Sequence, residues 1–220
     1  GCANPARPCN LPNALAGDPP LDQVVSKTYE AGVRNRINDQ FGWSASIYRT
    51  QNTDDIQFIS ARTNGAGYFD NVGKTRRVGL DLGLNGGFGL FKWFAGYSYI
   101  RATYESEFLA VSETNSSANA DDEILVRPGD NIPGIPRHQF KFRGELQATP
   151  NWMIGSNIVA FSDQYSQGNQ NNQHQGEGAK VSGYAIVNLD TRYRFDNSGW
   201  QLFGRINNVF DRKYYTAGLL

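Results

Sequence analysis

The chain has 220 residues in which 21 Lys and Arg balance 21 Asp and Glu, a neutrality that argues against a nucleic-acid surface and against an acidic or basic tail. Gly (24), Tyr (11) and Phe (13) are abundant, Met occurs once and mean hydropathy is -0.53. No apolar run nears the ~20 residues of a transmembrane helix, which leaves open a membrane barrel, whose apolar surface is hidden in alternation.

No charged-then-apolar leader begins at Gly1. For a secreted β-protein that absence suggests a piece cut from a longer chain. Residues 1–26 read as a loop, because five of the nine prolines lie there and no repeating backbone pattern survives them. Cys2 and Cys9, the only cysteines, stand inside it. They suit a disulfide closing a small exposed loop in an oxidising compartment, with two separate thiols as the alternative; zinc is poorly supported without a histidine nearby.

Eight strands follow, expected from alternation of period two. Ser26–Arg36 sets Tyr29, Ala31 and Val33 against Glu30, Gly32 and Arg34. After a turn at Asn38–Gln40, Phe41–Asn52 groups Phe41, Trp43, Ala45 and Ile47, and a polar connection over 53–73 holds extensions of its flanking strands. Lys74–Leu84 sets Val78, Leu80, Leu82 and Leu84 against Arg77, Gly79, Asp81 and Gly83, with a turn expected at Asn85–Gly87. Leu90–Tyr104 gathers Trp93, Ala95, Tyr97 and Tyr99. The connection over 105–136 contains an Asn/Ser/Ala/Asp tract, Thr114–Asp122, that reads as mobile. Arg137–Gln147 sets Phe140, Phe142, Gly144 and Leu146 against Gln139, Lys141, Arg143 and Glu145, and a turn at Thr149–Asn151 leads to Trp152–Ser162.

Beyond a Gln/Asn/Gly-rich loop over 164–179, the last two strands form a β-hairpin about Asp196–Gly199. Val187, Leu189, Thr191, Tyr193 and Phe195 alternate with Asn188, Asp190, Arg192 and Arg194; Trp200, Leu202, Gly204 and Ile206 share a face opposite Arg205. Charges on one face and Val, Leu, Tyr, Phe and Trp on the other are the pattern of a membrane barrel with a polar interior.

Two regularities support this. Short and long connections alternate, as periplasmic turns and extracellular loops do in outer-membrane barrels. Trp43, Trp93, Trp152 and Trp200 each follow a short turn, the height at which an amphipathic indole would form a periplasmic aromatic girdle.

Asn207-Asn208-Val209-Phe210-Asp211-Arg212-Lys213-Tyr214-Tyr215 resembles the C-terminal region of TonB-dependent outer-membrane receptors. Tyr29–Arg34 and Asn71–Asp81 resemble two further strand motifs of that family, in the right order. The resemblance implies an all-β fold, an antiparallel transmembrane β-barrel segment of about eight strands from a 22-stranded barrel. Residues 27–220 would be the C-terminal barrel portion and 1–26 an extracellular loop. The family's plug domain, TonB box and final strand are absent from this stretch, and Leu220 would stop on the extracellular side.

The implied function is TonB-coupled uptake of a scarce solute across the bacterial outer membrane, most plausibly a ferric siderophore. Cobalamin, haem or glycan uptake, or a passive porin-like or structural barrel, are the alternatives. Implied partners are outer-membrane lipid, the protein's own plug, TonB through the plug, and the cargo. No nucleic acid, cofactor or resident metal is expected.

Glu30, Arg34, Arg77, Asp81, Arg143, Glu145, Asp190, Arg192, Arg194 and Arg205, with Lys141, would face the lumen and meet plug or water. Tyr68, Phe69, Tyr104, Phe108 and Tyr165 lie near the extracellular rim, where they would stack on cargo or form an upper girdle. His174 and His138, the only histidines, are further candidates for contact with a cargo such as haem, against the plainer reading that a lone loop histidine is usually just polar. With no base, orienting group and nucleophile converging, an enzyme is not expected. Asn85–Gly89 leads into a strand and offers no helix N-terminus to a phosphate.

Overall fold

A computed structural model describes residues 20–38, 40–60 and 67–220. Fourteen strands occur among them: β1 Val25–Asn38, β2 Phe41–Thr53, β3 Ile56–Ser60, β4 Gly67–Asn71, β5 Thr75–Phe88, β6 Phe91–Tyr104, β7 Phe108–Val111, β8 Glu123–Val126, β9 His138–Thr149, β10 Trp152–Phe161, β11 Gln164–Tyr165, β12 Lys180–Val181, β13 Tyr184–Arg194 and β14 Gln201–Ile206. The eight long ones form one antiparallel sheet in the order β1-β2-β5-β6-β9-β10-β13-β14. These are the eight strands expected from alternation. The short ones pair as three ribbons, β3-β4, β7-β8 and β11-β12, inside the three long connections. Cys2, Cys9 and most of the expected N-terminal loop lie outside the described residues.

Register carries the alternation across the sheet. One rung runs Val33–Ala45–Leu82–Tyr97–Phe140–Ala160–Ala185, the next Asn35–Trp43–Leu84–Ala95–Phe142–Ile158–Val187. The opposite face carries Arg34–Ser44–Gly83–Gly96–Lys141–Val159–Ile186 and, further along, Glu145–Gly155–Asp190–Arg205. The apolar side chains therefore gather mostly on one face, and the charges of β1, β5, β9, β13 and β14 mostly on the other, with neighbours agreeing about which is which. A slip of one residue would reverse every side chain, so the pattern itself fixes the register.

No second layer covers the apolar face among the described residues. Ile47 is 61% exposed, Leu84 41% and Leu189 38%, whereas the fully buried side chains Tyr104, Ile124 and Val126 lie at the long-connection end. There Val72, Ala102, Tyr104, Ala110, Ile124, Val126 and Ile132 pack into a small core. Burial of the apolar face must come from lipid, for which strands of 10 to 14 residues in β1, β2, β5, β6, β9, β10 and β13 are long enough when tilted.

Two expectations are corrected and one is refined. The turn after β5 falls at Gly89-Leu90, where Gly89 has φ +59, and Asn85–Gly87 are paired strand residues opposite Phe94, Trp93 and Lys92. Gly86 is there for space, since a Cβ on it would stand 2.8 Å from the Trp93 ring. The connection over 53–73 carries both flanking strands onward as the ribbon β3-β4, joined to β2-β5 by the backbone bonds Asp55 N–Gly73 O (2.8 Å) and Val72 N–Asp55 O (2.9 Å), with positive φ at Asp54 (53) and Gly73 (78) kinking the ladder into a sheet of its own. The Thr114–Asp122 tract is an ordered run of side-chain-capped turns. Asn115 Oδ1 accepts from the Ser117 N–H at 3.0 Å, and Asn119 Oδ1 accepts from the N–H groups of Asp121 and Glu123, each at 2.9 Å.

Candidate functional site

The charged face gathers every residue expected there: Glu30, Arg34, Arg77, Asp81, Lys141, Arg143, Glu145, Asp190, Arg192, Arg194 and Arg205 share it by register. Its centre is Arg143. The guanidinium donates to both carboxylate oxygens of Asp190, two strands away, with Nη2 2.8 Å from Oδ1, and to Glu145 Oε1 from Nε at 3.1 Å and Nη2 at 3.0 Å. This spans β10 because Gly155 lies between: a Cβ there would meet Arg143 Nη2 at 2.4 Å and Asp190 Oδ1 at 2.7 Å. A forked donor shared by two acids holds all three side chains in one fixed polar surface, the single cation compensated by its neighbours.

Beside it, small residues hollow the wall. Gly32, Ser44, Ser46, Gly83, Gly96 and Ser98 line a recess of about 520 Å³ in which Arg34, Asp81 and Lys141 supply both signs of charge.

The connections over 105–137 and 162–183 cover one end and are joined chiefly by carboxamides. Asn131 N and Nδ2 both donate to Asn172 Oδ1, at 2.6 and 2.8 Å, and Asn172 Nδ2 returns a bond to Asn131 O at 3.0 Å. Asn115 Nδ2 and Ser112 Oγ converge on Gly168 O at 2.9 and 2.7 Å. His174 accepts at Nδ1 from the Ser116 N–H, 2.9 Å, which ties one loop to the other. Asp130 accepts from the Arg127 N–H at 2.8 Å; burial nevertheless raises its carboxyl above the ordinary range, outweighing that bond and the nearby guanidinium. Lys180 is shifted upward, first by its hydrogen bond to Asp163 Oδ2 at 2.9 Å.

The rim residues separate. Tyr104 is 2% exposed and packs edge-on against Phe108, ring centroids 5.1 Å apart, so its ring belongs to the loop core and is closed to a solute. Phe69 is 44% exposed and meets Phe58 at 5.6 Å. Tyr68 stands in β4 opposite Ile59. Tyr165 is half-buried beneath the Lys180 ammonium, 4.7 Å from its ring centroid. His138 lies on the apolar face, where its Nδ1 is 2.8 Å from Tyr97 Oη. Trp43, Trp93 and Trp152 also point from the apolar face near the short turns, and Trp200 precedes β14 at 74% exposure.

Sequence reasoning missed Asp55. This carboxylate, 8% exposed in a connection that read only as polar, accepts from the Thr75 hydroxyl and pairs with Arg77 at 3.5 Å. No sequence signal marks it: what sets it apart is its place just after Asp54, a residue of positive φ, at the foot of a ribbon, which single-sequence patterning does not reveal.

A family model described as TonB dependent receptor-like, beta-barrel, matches residues 4–209. The chain belongs to this family. Similar proteins include the TonB-dependent siderophore receptor PiuA of Acinetobacter baumannii, 25% identical over 199 residues covering 89% of this chain and 24% of that protein. The metal-pseudopaline receptor CntO of Pseudomonas aeruginosa is 23% identical over 89% of this chain and 25% of its own length. The structure of the ferric enterobactin receptor PfeA of Pseudomonas aeruginosa superposes with a TM-score of 0.64 at 19% identity, over 90% of this chain and 27% of that one. The chain thus spans about a quarter of the length of the relatives it matches. It is an outer-membrane β-barrel segment of a family of transport receptors, not enzymes.

The family's C-terminal motif also acquires a physical role in this barrel. Asn208, at φ 50, ends β14 by accepting from the Arg212 N–H at 2.9 Å and donating to Arg212 O at 3.0 Å, while its own N–H reaches Asn188 Oδ1 at 2.8 Å. Tyr214 then stacks on Tyr184, centroids 4.5 Å apart.

Proposed function

We propose that this chain is part of the wall and outer cover of a receptor that takes up a scarce metal chelate, a ferric siderophore first, by TonB-coupled transport. The observation that carries the reading is the single sheet with one lipid-suited face and one face carrying charges of both signs, capped by interlocked loops. A passive pore needs the first of these but not a recess of mixed charge beneath a knitted cover. In this reading the charged face meets the protein's own plug, which TonB pulls, with the Arg143 cluster and the recess as contact surface. The four tryptophans mark the periplasmic headgroup level.

A related reading, uptake of a chelate of another metal, is favoured by the similarity to the metal-pseudopaline receptor. The test is accumulation of labelled metal by cells that lack their own receptors and carry the full-length protein. Ferric catecholate and other siderophores, an opine-type chelate of zinc or nickel, haem and cobalamin are supplied in turn, with and without TonB. TonB-dependent accumulation of a siderophore complex is expected. Equal entry without TonB would show a passive pore.

A further inference from the structure

On five consecutive strands the outward apolar series is met, near the long-loop side, by a basic residue. Going up each strand, Tyr29 gives way to Lys27, Ile47 to Arg49, Val78 to Arg76, Tyr99 to Arg101 and Phe140 to His138. Register gathers them into adjacent rungs: Tyr29–Arg49–Val78–Arg101 and Lys27–Gln51–Arg76–Thr103, above Ala31–Ile47–Leu80–Tyr99–His138. Arg49 and Arg101 are two strands apart, about 10 Å between backbones, within joint reach of one ligand.

Arg76 is committed to Glu105 at 2.9 Å. Lys27, Arg49 and Arg101 are exposed and, among the described residues, make no hydrogen bond or ion pair. Nor does their face offer an anion: Glu30, Asp81, Glu145 and Asp190, the acids of the eight long strands, all lie on the other side.

A cation that merely ended a membrane strand would serve equally on β10 and β13, whose outward series end in Ala160 and Ala185. The basic group is confined to one side of the sheet, directly above aromatic residues with polar tips, Tyr29, Tyr97 and Tyr99. That is headgroup depth, and the long-loop side is the outer leaflet. Guanidinium groups grip phosphate through paired N–H donors.

We propose that Lys27, Arg49 and Arg101 form a binding site for the phosphate groups of the phosphorylated glycolipid of the outer leaflet, its acyl chains lying along Ile47, Leu80 and Leu82. The site is independent of cargo: it sits on the face opposite the solute path, so an error in the uptake reading would leave it standing.

The test uses the full-length protein in neutral detergent, with glycolipid binding followed by native mass spectrometry and titration. The probes are the bisphosphorylated glycolipid, the same molecule with its phosphates removed, phosphatidylglycerol and inorganic phosphate. Wild type should prefer the bisphosphorylated form. R49A/R101A should bind it roughly thirtyfold more weakly, two interfacial cations being lost, and R49K/R101K should keep most of the affinity. Undiminished binding by the alanine variant, equal binding of the dephosphorylated lipid, or equal competition by phosphatidylglycerol or inorganic phosphate would each overturn the proposal. Should the alanine variant not fold, wild type against the dephosphorylated lipid decides.

Discussion

Asp55 pins the β3-β4 ribbon to the barrel rim, and its removal has a calculable effect. In Asp55→Ala the backbone bonds Asp55 N–Gly73 O (2.8 Å) and Val72 N–Asp55 O (2.9 Å) survive. The Thr75 hydroxyl, 0% exposed, loses its acceptor, a penalty of about 1–3 kcal/mol for a buried donor left unpaired. Arg77 loses an anion at 3.5 Å, which at this partial exposure adds at most ~1 kcal/mol. A net loss of about 2 kcal/mol in local stability corresponds to roughly thirtyfold faster opening-limited exchange. Hydrogen exchange on the full-length protein in detergent should therefore show this acceleration at Val72 and along Ile56–Asn71, with β13-β14 amides unchanged. Unaltered exchange at Val72 would refute the idea that the carboxylate holds the ribbon; acceleration throughout the sheet would show that the damage is global.

Leu82→Arg and Val187→Arg place a charge on the lipid face and should impair assembly by about 2–4 kcal/mol at mid-depth, read as loss of the heat-modifiable band, whereas Ser98→Arg on the charged face should assemble; equal assembly of all three would reverse the facing. Gly79 is not a suitable control, because the Tyr48 ring lies 2.3 Å from where its Cβ would be. Gly155→Ala should push Arg143 from Asp190 at a cost of up to ~1 kcal/mol, these side chains being part-exposed, and Gly155→Ala combined with Asp190→Asn should cost little more than either alone in a denaturation cycle; full additivity would contradict the coupling. For Lys180 the folded-state value is raised, so its contribution is complete below the ordinary lysine range near 10.5 and disappears as pH rises through the higher folded value. Loop exchange around Asp163 should thus be flat from pH 6 to 9, after correction for intrinsic rates, and accelerate only in strong alkali; acceleration between pH 6 and 9 would exclude this pair as its cause.

What the sequence made legible was whatever alternation encodes. Leu82 against Asp81 and Val187 against Asn188 settle the faces, and short turns such as Pro150-Asn151 settle strand order, because period two and chain connectivity are local. The connections were illegible for the converse reason. Nothing near Thr114 shows that Asn115 will reach Gly168, a partner more than fifty residues away, so amide-rich sequence passed for mobile chain. Tyr104 read as a rim aromatic, for cargo or for an upper girdle, because rim aromatics and loop-core aromatics look alike until Ile124 and Val126 are folded over them. Gly86-Gly87 imitated a turn, since a glycine that accommodates Trp93 and one that reverses the chain are the same letter.

The two longest connections are joined mainly by Asn131 with Asn172, and by Asn115 and Ser112 with Gly168, groups that carry no net charge at any pH a cell survives, beside the one ionisable tie from His174 to the Ser116 N–H. Dissolved ions screen charges but do not screen away the short contacts of neutral amides. Contacts of this kind keep the same strength in dilute fresh water and in brine, while the charged face of the sheet stays responsive to the ionic surroundings. The molecule thus separates what holds constant, the join between its long connections, from what varies with its medium.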